Sequence, residues 1–258
     1  MWRHPTKAVQ QAFRRIGIDV RRVRPDDARF PDEDLRYPFD FDGWVCAIAE
    51  QVKPFTMTGP LRVNALCKAV EYVTNRELPG AIVECGVWRG GSMMAAALTL
   101  IRGSDSLRDL YLFDTFEGMP APTADDVDIF GRTAAEILEE DPARQSLVAA
   151  VAGLEEVQKN MAATGYPSNL VHFVPGLVEN TIPAQAPDRI ALLRLDTDWY
   201  SSTRHELEHL VPRLVPGGVL IIDDYGYWGG CRQAVDEFFA QRPVLLSRVD
   251  GTGRMAVL

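Results

Sequence analysis

Residues 190–225 read IALLRLDTDWYSSTRHELEHLVPRLVPGGVLIIDDY. An apolar run over 190–195, apolar positions at helical spacing over 202–214 and a second apolar run over 219–223 spell a strand, a helix and a strand. Runs without alternation belong to strands covered on both faces, so this unit is a parallel crossover inside an α/β sheet. Both strands end in acid. Asp196-Thr197-Asp198 follows the first, and Asp223-Asp224 closes the second.

The same rhythm extends outward from this unit. Before it, the pattern predicts a helix over 61–76, a strand over 81–84, a helix over 92–101, a strand over 110–114, a helix over 154–164 and a strand over 171–174. After it come a helix over 231–240 and strands over 244–249 and 254–258. These last two flank Asp250-Gly251-Thr252-Gly253, a hairpin signal that makes the final pair antiparallel. The expected architecture is α/β, a doubly wound, seven-stranded mixed sheet ending in an antiparallel hairpin. Two stretches break the rhythm. Residues 25–38 are rich in proline and aspartate and read as a wrapping segment, while the acidic 119–153 carries no strand pattern and reads as a lid. The domain plan is an N-terminal helical and wrapping extension, 1–56, followed by one domain, 57–258, that contains the lid.

Charge narrows the class of partner. Residues 1–29 hold eight basic side chains against three acids, so the rest of the 258-residue chain is more acidic than the total of −9. An acidic body argues against nucleic acid as a ligand. The basic arm reads as an amphipathic helix over 6–16 that docks on its own body or a neighbour's. No apolar run reaches the 18 residues of a membrane span, and the first 23 residues lack the apolar core of a signal peptide, so the expected location is the cytoplasm. The four cysteines stand apart with no paired spacing, which excludes a disulfide framework or a cysteine zinc site.

Ligands of doubly wound sheets bind beyond the carboxyl ends of the strands. After the first strand comes Glu84-Cys85-Gly86-Val87-Trp88-Arg89-Gly90-Gly91-Ser92. Trp88 stands where a dinucleotide fingerprint needs its middle glycine, so a pyrophosphate cradle is absent. The remaining pattern, with Glu84, Gly86 and Gly90 leading into a helix start at Gly91 and Ser92, suits the methionine end of S-adenosylmethionine. Asp114 ends the next strand, followed by Thr115, and can accept hydrogen bonds from ribose hydroxyls. Asp196, Asp223 and Asp224 converge at neighbouring strand tips, and three carboxylates at one spot call for a divalent cation, Mg²⁺ or Mn²⁺. Asp198, two residues beyond Asp196, is placed to act as general base. Trp199, Tyr200, Tyr225, Tyr227 and Trp228 follow these strands and are candidates for an apolar acceptor wall.

One motif competes with this reading. His205-Glu206-Leu207-Glu208-His209 matches the HExxH zinc signature. The helical phase puts both histidines opposite the apolar side formed by Leu207, Leu210, Val211 and Leu214, so they are expected to face solvent and hold no zinc.

Taken together, Thr56-Met57-Thr58-Gly59, the 84–91 loop, Asp114-Thr115-Phe116-Glu117-Gly118-Met119-Pro120, Leu195-Asp196-Thr197-Asp198 and Ile222-Asp223-Asp224-Tyr225 resemble the metal-dependent sugar O-methyltransferases of macrolide and aminocoumarin antibiotic biosynthesis, the macrocin O-methyltransferase family. The resemblance runs from about residue 57 to 258. It implies a class I methyltransferase fold, S-adenosylmethionine as methyl donor, Mg²⁺ on Asp196, Asp223 and Asp224, a lid over the cofactor, and self-association into a homo-oligomer. The implied acceptor is a small-molecule glycoside, methylated on a hydroxyl of its deoxysugar. Met57, Thr58 and Gly176 join the cofactor set. Some relatives carry a histidine in the lid as the proposed base; residues 118–171 contain none, which leaves Asp198. Two rival readings share parts of the pattern: a catechol-type O-methyltransferase acting on a phenol, and a non-catalytic protein that binds S-adenosylmethionine without needing the clustered aspartates.

Overall fold

A computed structural model describes residues 37–103, 105, 107–140 and 151–258. The chain divides into two compact units, Met1–Phe41 and Asp42–Leu258. Of the first, only 37–41 are described, where the Phe41 amide donates to the Pro38 carbonyl. The basic arm and the helix expected over 6–16 lie outside the described residues, as do positions 141–150 of the expected lid.

The second unit is a seven-stranded sheet flanked by helices. Its strands are β1 (Ala81–Cys85), β2 (Leu110–Asp114), β3 (Val171–Pro175), β4 (Ile190–Leu195), β5 (Leu214–Ile222), β6 (Ser247–Arg248) and β7 (Arg254–Val257), in the spatial order β3-β2-β1-β4-β5-β7-β6. The first five are mutually parallel and β7 is antiparallel to both β5 and β6. Strand order reverses between β1 and β4, which opens a crevice beyond their carboxyl ends. The described helices are α1 (Gly43–Val52), α2 (Pro60–Asn75), α3 (Gly91–Arg102), α4 (Ala134–Glu140), α5 (Leu154–Ala162), α6 (Val178–Thr181), α7 (Tyr200–Leu210) and α8 (Gly229–Phe239).

Local chemistry explains the boundaries. Proline fits the first turn of α2, where its missing amide costs nothing, and Val63, Leu66, Val70 and Val73 then form the buried stripe. Helix α7 stops at Leu210 because Pro212 follows, and Val211–Arg213 tightens into a 3₁₀ turn. The helix expected to continue to 214 is thereby shortened. Strand β5 begins five residues before its predicted start: Pro216-Gly217-Gly218 reads as loop, yet Gly217 donates to the Leu258 carbonyl and Leu258 donates to that of Gly218. The terminal hairpin forms as expected, with Asp250 Oδ1 accepting the amides of Thr252 and Gly253, but its first strand shrinks to two residues.

The switch point depends on one glycine. Gly86 has φ 80°, and a Cβ added there would lie 1.9 Å from the Asp196 carbonyl oxygen. Both effects penalise any side chain, since left-handed backbone and backbone overlap each cost about 1–3 kcal/mol. Gly86→Ala is therefore expected to lower the thermal midpoint by roughly 10 °C. Differential scanning calorimetry reads this directly, and a midpoint within 2–3 °C of the wild type (roughly 1 kcal/mol) would show that the β1 and β4 tips yield easily.

Candidate active site

The carboxyl ends of β1 to β5 surround a cavity of about 520 Å³. Of the residues expected to hold a cofactor, Met57, Thr58, Gly86, Ser92, Asp114, Thr115 and Gly176 line it. Three others do not. Glu84 is fully buried within β1, and its carboxylate meets Arg194 of β4 at 2.6 Å rather than the cavity. Gly90 supplies the left-handed turn (φ 87°) that starts α3, with Val157 packed 3.2 Å from where its Cβ would be. Gly91 lets the Phe55 carbonyl oxygen approach to 2.5 Å of where a Cβ of its own would lie. These two glycines serve close packing, which a strand-to-helix turn requires whether or not a ligand binds.

Asp114 has a second task. Its Oδ2 accepts the amides of Val87 (2.6 Å) and Trp88 (3.0 Å), and its Oδ1 accepts that of Phe116 (2.7 Å). Trp88 and Phe116 both have positive φ, 47° and 55°, so the carboxylate pins two unfavourable turns on either side of the cavity. A carboxylate offers about four lone-pair sites, which leaves capacity for a ribose hydroxyl. Asp114→Ala is expected to weaken S-adenosylmethionine binding by tenfold or more, the scale of charged hydrogen bonds worth about 1.5–3 kcal/mol. Isothermal calorimetry provides the check; an unchanged affinity removes Asp114 from the cofactor site.

The acidic cluster forms as the sequence predicts, and Asp196, Asp198, Asp223 and Asp224 all line the cavity. Asp196, Asp223 and Asp224 each present a carboxylate oxygen, and these oxygens lie within 4.8 Å of one another. Among the described residues this is the one such group. Burial raises the carboxyls of Asp223, to about 6, and of Asp224, whose Oδ2 has no hydrogen-bond partner. Asp198 is pushed up to about 8 by burial and then by the charge of Asp196, and its backbone is left-handed, φ 65°. Two arginines answer this charge. Arg194 lies 2.7 Å from both Asp196 and Asp223, and Arg62 pairs with Asp223 and, at 3.1 Å, with Asp250. Five acids, counting Glu84, still outnumber two bases, and one oxygen of Asp224 is left without a partner. Hard oxygen donors in this number suit Mg²⁺ or Mn²⁺.

Neither arginine was singled out by motif reading. Arg194 had a visible signal, since an arginine inside a run that must be buried on both faces is anomalous without partners. The aromatic residues divide. Tyr227 and Trp228 line the cavity, whereas Trp199 is buried with its indole N–H on the Pro120 carbonyl, and Tyr200 and Tyr225 bond to Glu237 and Asp236 outside it.

The HExxH histidines do not face solvent as expected. Both are half-buried, their rings lie 4.4 Å apart, and His205 Nε2 donates to the Ile182 carbonyl at 3.0 Å. The helical phase located the apolar side correctly, but α6 and the residue after it cover the opposite side as well. Glu206 is fully buried and accepts from Thr197, and among the described residues no group of three metal-ligating side chains includes either histidine.

Residues 47–255 match the family described as Macrocin-O-methyltransferase (TylF). The chain belongs to the macrocin O-methyltransferase family. It is accordingly an S-adenosylmethionine-dependent O-methyltransferase. It is 39% identical over 200 residues, 77% of this chain and 73% of the relative, to the 8-demethyl-8-(2,3-dimethoxy-alpha-L-rhamnosyl)-tetracenomycin-C 4'-O-methyltransferase of Streptomyces olivaceus. It is 36% identical to the mycinamicin III 3''-O-methyltransferase of Micromonospora griseorubida, covering 71% of this chain and 69% of that one. Among solved structures, the O-methyltransferase NovP superposes with a TM-score of 0.66 at 33% identity, over 79% of this chain and 81% of its own. The calicheamicin methyltransferase CalS11, at 21% identity, 83% and 90% coverage and a TM-score of 0.61, shares the fold. For this family's cofactor the cavity has an adequate volume. No described helix is long and apolar enough to cross a membrane.

Proposed function

We propose that this methyltransferase alkylates a hydroxyl of a deoxysugar carried by a small-molecule glycoside, with a divalent cation held by Asp196, Asp223 and Asp224. The observation that carries the metal reading is the convergence of three carboxylates, two of them buried, at the floor of the cavity. The acceptor class is supported by the relatives, whose names place their methyl groups on glycosylated natural products. A bound cation supplies Lewis acidity, which lowers the pKa of an acceptor hydroxyl.

The chain's own residues do the rest. Asp198 takes the proton from the acceptor hydroxyl. Thr58, Gly86, Asp114 and Thr115 seat the donor so that its methyl group faces that oxygen, and positioning of this kind accounts for much of the catalysis of group transfer. Tyr227 and Trp228 form a wall that excludes water from the reacting atoms. The excursion over 119–153 serves as a lid, consistent with Met119, Pro120, Arg132 and Ile137 lining the cavity. Residues 1–56 act as an extension of the catalytic domain, and the enzyme works as a cytoplasmic homo-oligomer. A methyl-transfer screen over deoxysugar glycosides and simple catechols tests the acceptor class. Turnover confined to glycosides is expected, and turnover confined to catechols would replace the reading with a catechol-type enzyme.

A further inference from the structure

The sheet register places four charged side chains on one face. Glu84 pairs in register with Arg194, and Arg194 with Ile221 of β5. Side chains two positions apart share a face, so Asp196 and Asp223 stand on the same side as Arg194. The guanidinium is thus surrounded. Nη1 donates to Glu84 at 2.6 Å and to Asp196 at 2.7 Å, while Nη2 lies 2.7 Å from Asp223 and donates to Thr58 Oγ1 at 3.3 Å. Its exposure is 3%, so it is a structural fixture beneath the cavity floor.

We propose that Arg194 is a positioning residue that sets the spacing of the metal-binding carboxylates and ties that spacing to the cofactor loop. This rests on the assignment of Asp196, Asp223 and Asp224 as the metal site. A planar fork with five donors can hold two carboxylates at a fixed separation, which a point charge cannot. Glu84 anchors the fork from behind. Burial pushes the Glu84 carboxyl up to about 8, Arg194 pulls in the opposite direction, and its second oxygen has no partner, so this acid gains little beyond holding the arginine. Thr58 completes the link. Its hydroxyl accepts from Arg194 and from Thr56, and its backbone amide also donates to Thr56 Oγ1, so the loop that lines the donor end of the cavity hangs from the same guanidinium.

A positive charge near the site by itself opposes cation binding, so the test must conserve net charge and change only geometry. Arg194→Lys does this directly. Glu84→Gln combined with Arg194→Met removes one charge of each sign and serves if the lysine variant fails to fold. Mn²⁺ binding is followed by the loss of the free-ion electron paramagnetic resonance signal, and S-adenosylhomocysteine binding by calorimetry. Either folded variant is expected to bind Mn²⁺ at least about tenfold more weakly, the usual scale for an outer residue that orients ligands, and to bind the nucleoside more weakly as well. The metal concentration for half-maximal activity rises in parallel, while kcat at saturating Mn²⁺ stays within a few-fold of wild type, a split that general destabilisation does not produce. Wild-type Mn²⁺ affinity in a folded variant overturns the role of Arg194 alone. If the wild-type enzyme binds no Mn²⁺, the metal site itself is wrong and the inference falls with it.

Discussion

In excess chelator, turnover is expected to fall by about 10³-fold or more, and added Mg²⁺ should restore it; Asp196→Ala should show the same loss without rescue. The physical basis is the imbalance at the cavity floor, where Arg62 and Arg194 face Glu84, Asp196, Asp198, Asp223 and Asp224. A cation that stabilises a developing alkoxide contributes several kcal/mol, and about 4 kcal/mol corresponds to roughly 10³ in rate. Initial rates measured across a chelator titration decide the matter. Full activity at saturating chelator would sink the metal assignment, and wild-type rates for Asp196→Ala would do so independently.

Asp198→Asn is expected to lower kcat by about 10²-fold or more, the ordinary cost of losing a positioned base, with donor and metal binding nearly unchanged. Asparagine is a fitting probe because it tolerates the left-handed backbone that Asp198 adopts. The change therefore removes basicity without straining the loop. Without a cation, burial and then the Asp196 charge push the Asp198 carboxyl up to about 8, and a cation on Asp196, Asp223 and Asp224 would favour its ionised, proton-accepting form. A rate within a few-fold of wild type would return proton removal to solvent or another group.

The sheet was legible because its parallel strands are mostly apolar and its turns are marked by Gly and Pro. Residues 190–195 and 110–114 keep their predicted limits for that reason. The misplaced edges have specific causes. Pro216-Gly217-Gly218 breaks every propensity rule for a strand and is kept in β5 by the pairing of Gly217 and Gly218 with Leu258 at the far end of the domain. Helix α1 lies inside the 1–56 extension, read as helical and wrapping, but no helix is expected at 43–52, because its short length hides its apolar spacing. At the site, the aspartates were readable from strand tips alone, whereas the absence of Glu84, Gly90 and Gly91 from the cavity was not. Which side of a strand or turn meets the ligand depends on partners distant in sequence, here Arg194, Val157 and Phe55. The half-burial of His205 has the same origin, since helical phase describes one helix and not what covers it.

The excursion that precedes α4 is moored in an unusual way. Asp126 accepts the backbone amide of Tyr200 at the start of α7, the Val127 carbonyl accepts that of Gly229 at the start of α8, and Asp128 bridges to Trp228. Its outer turn is closed by Asp128, which takes the amides of Phe130 and Arg132. Two of these moorings end on main-chain amides, which any residue but proline supplies, so the turn keeps its seat while the side chains it displays, Ile129 and Phe130, vary freely. Surface chemistry at this turn can thus diversify while the carboxylates of β4 and β5 stay untouched, and of residues 127–133 only Arg132 reaches the cavity. Exchange of residues 127–133 between family members would therefore alter the outer surface of the turn while its anchorage on α7 and α8 persists.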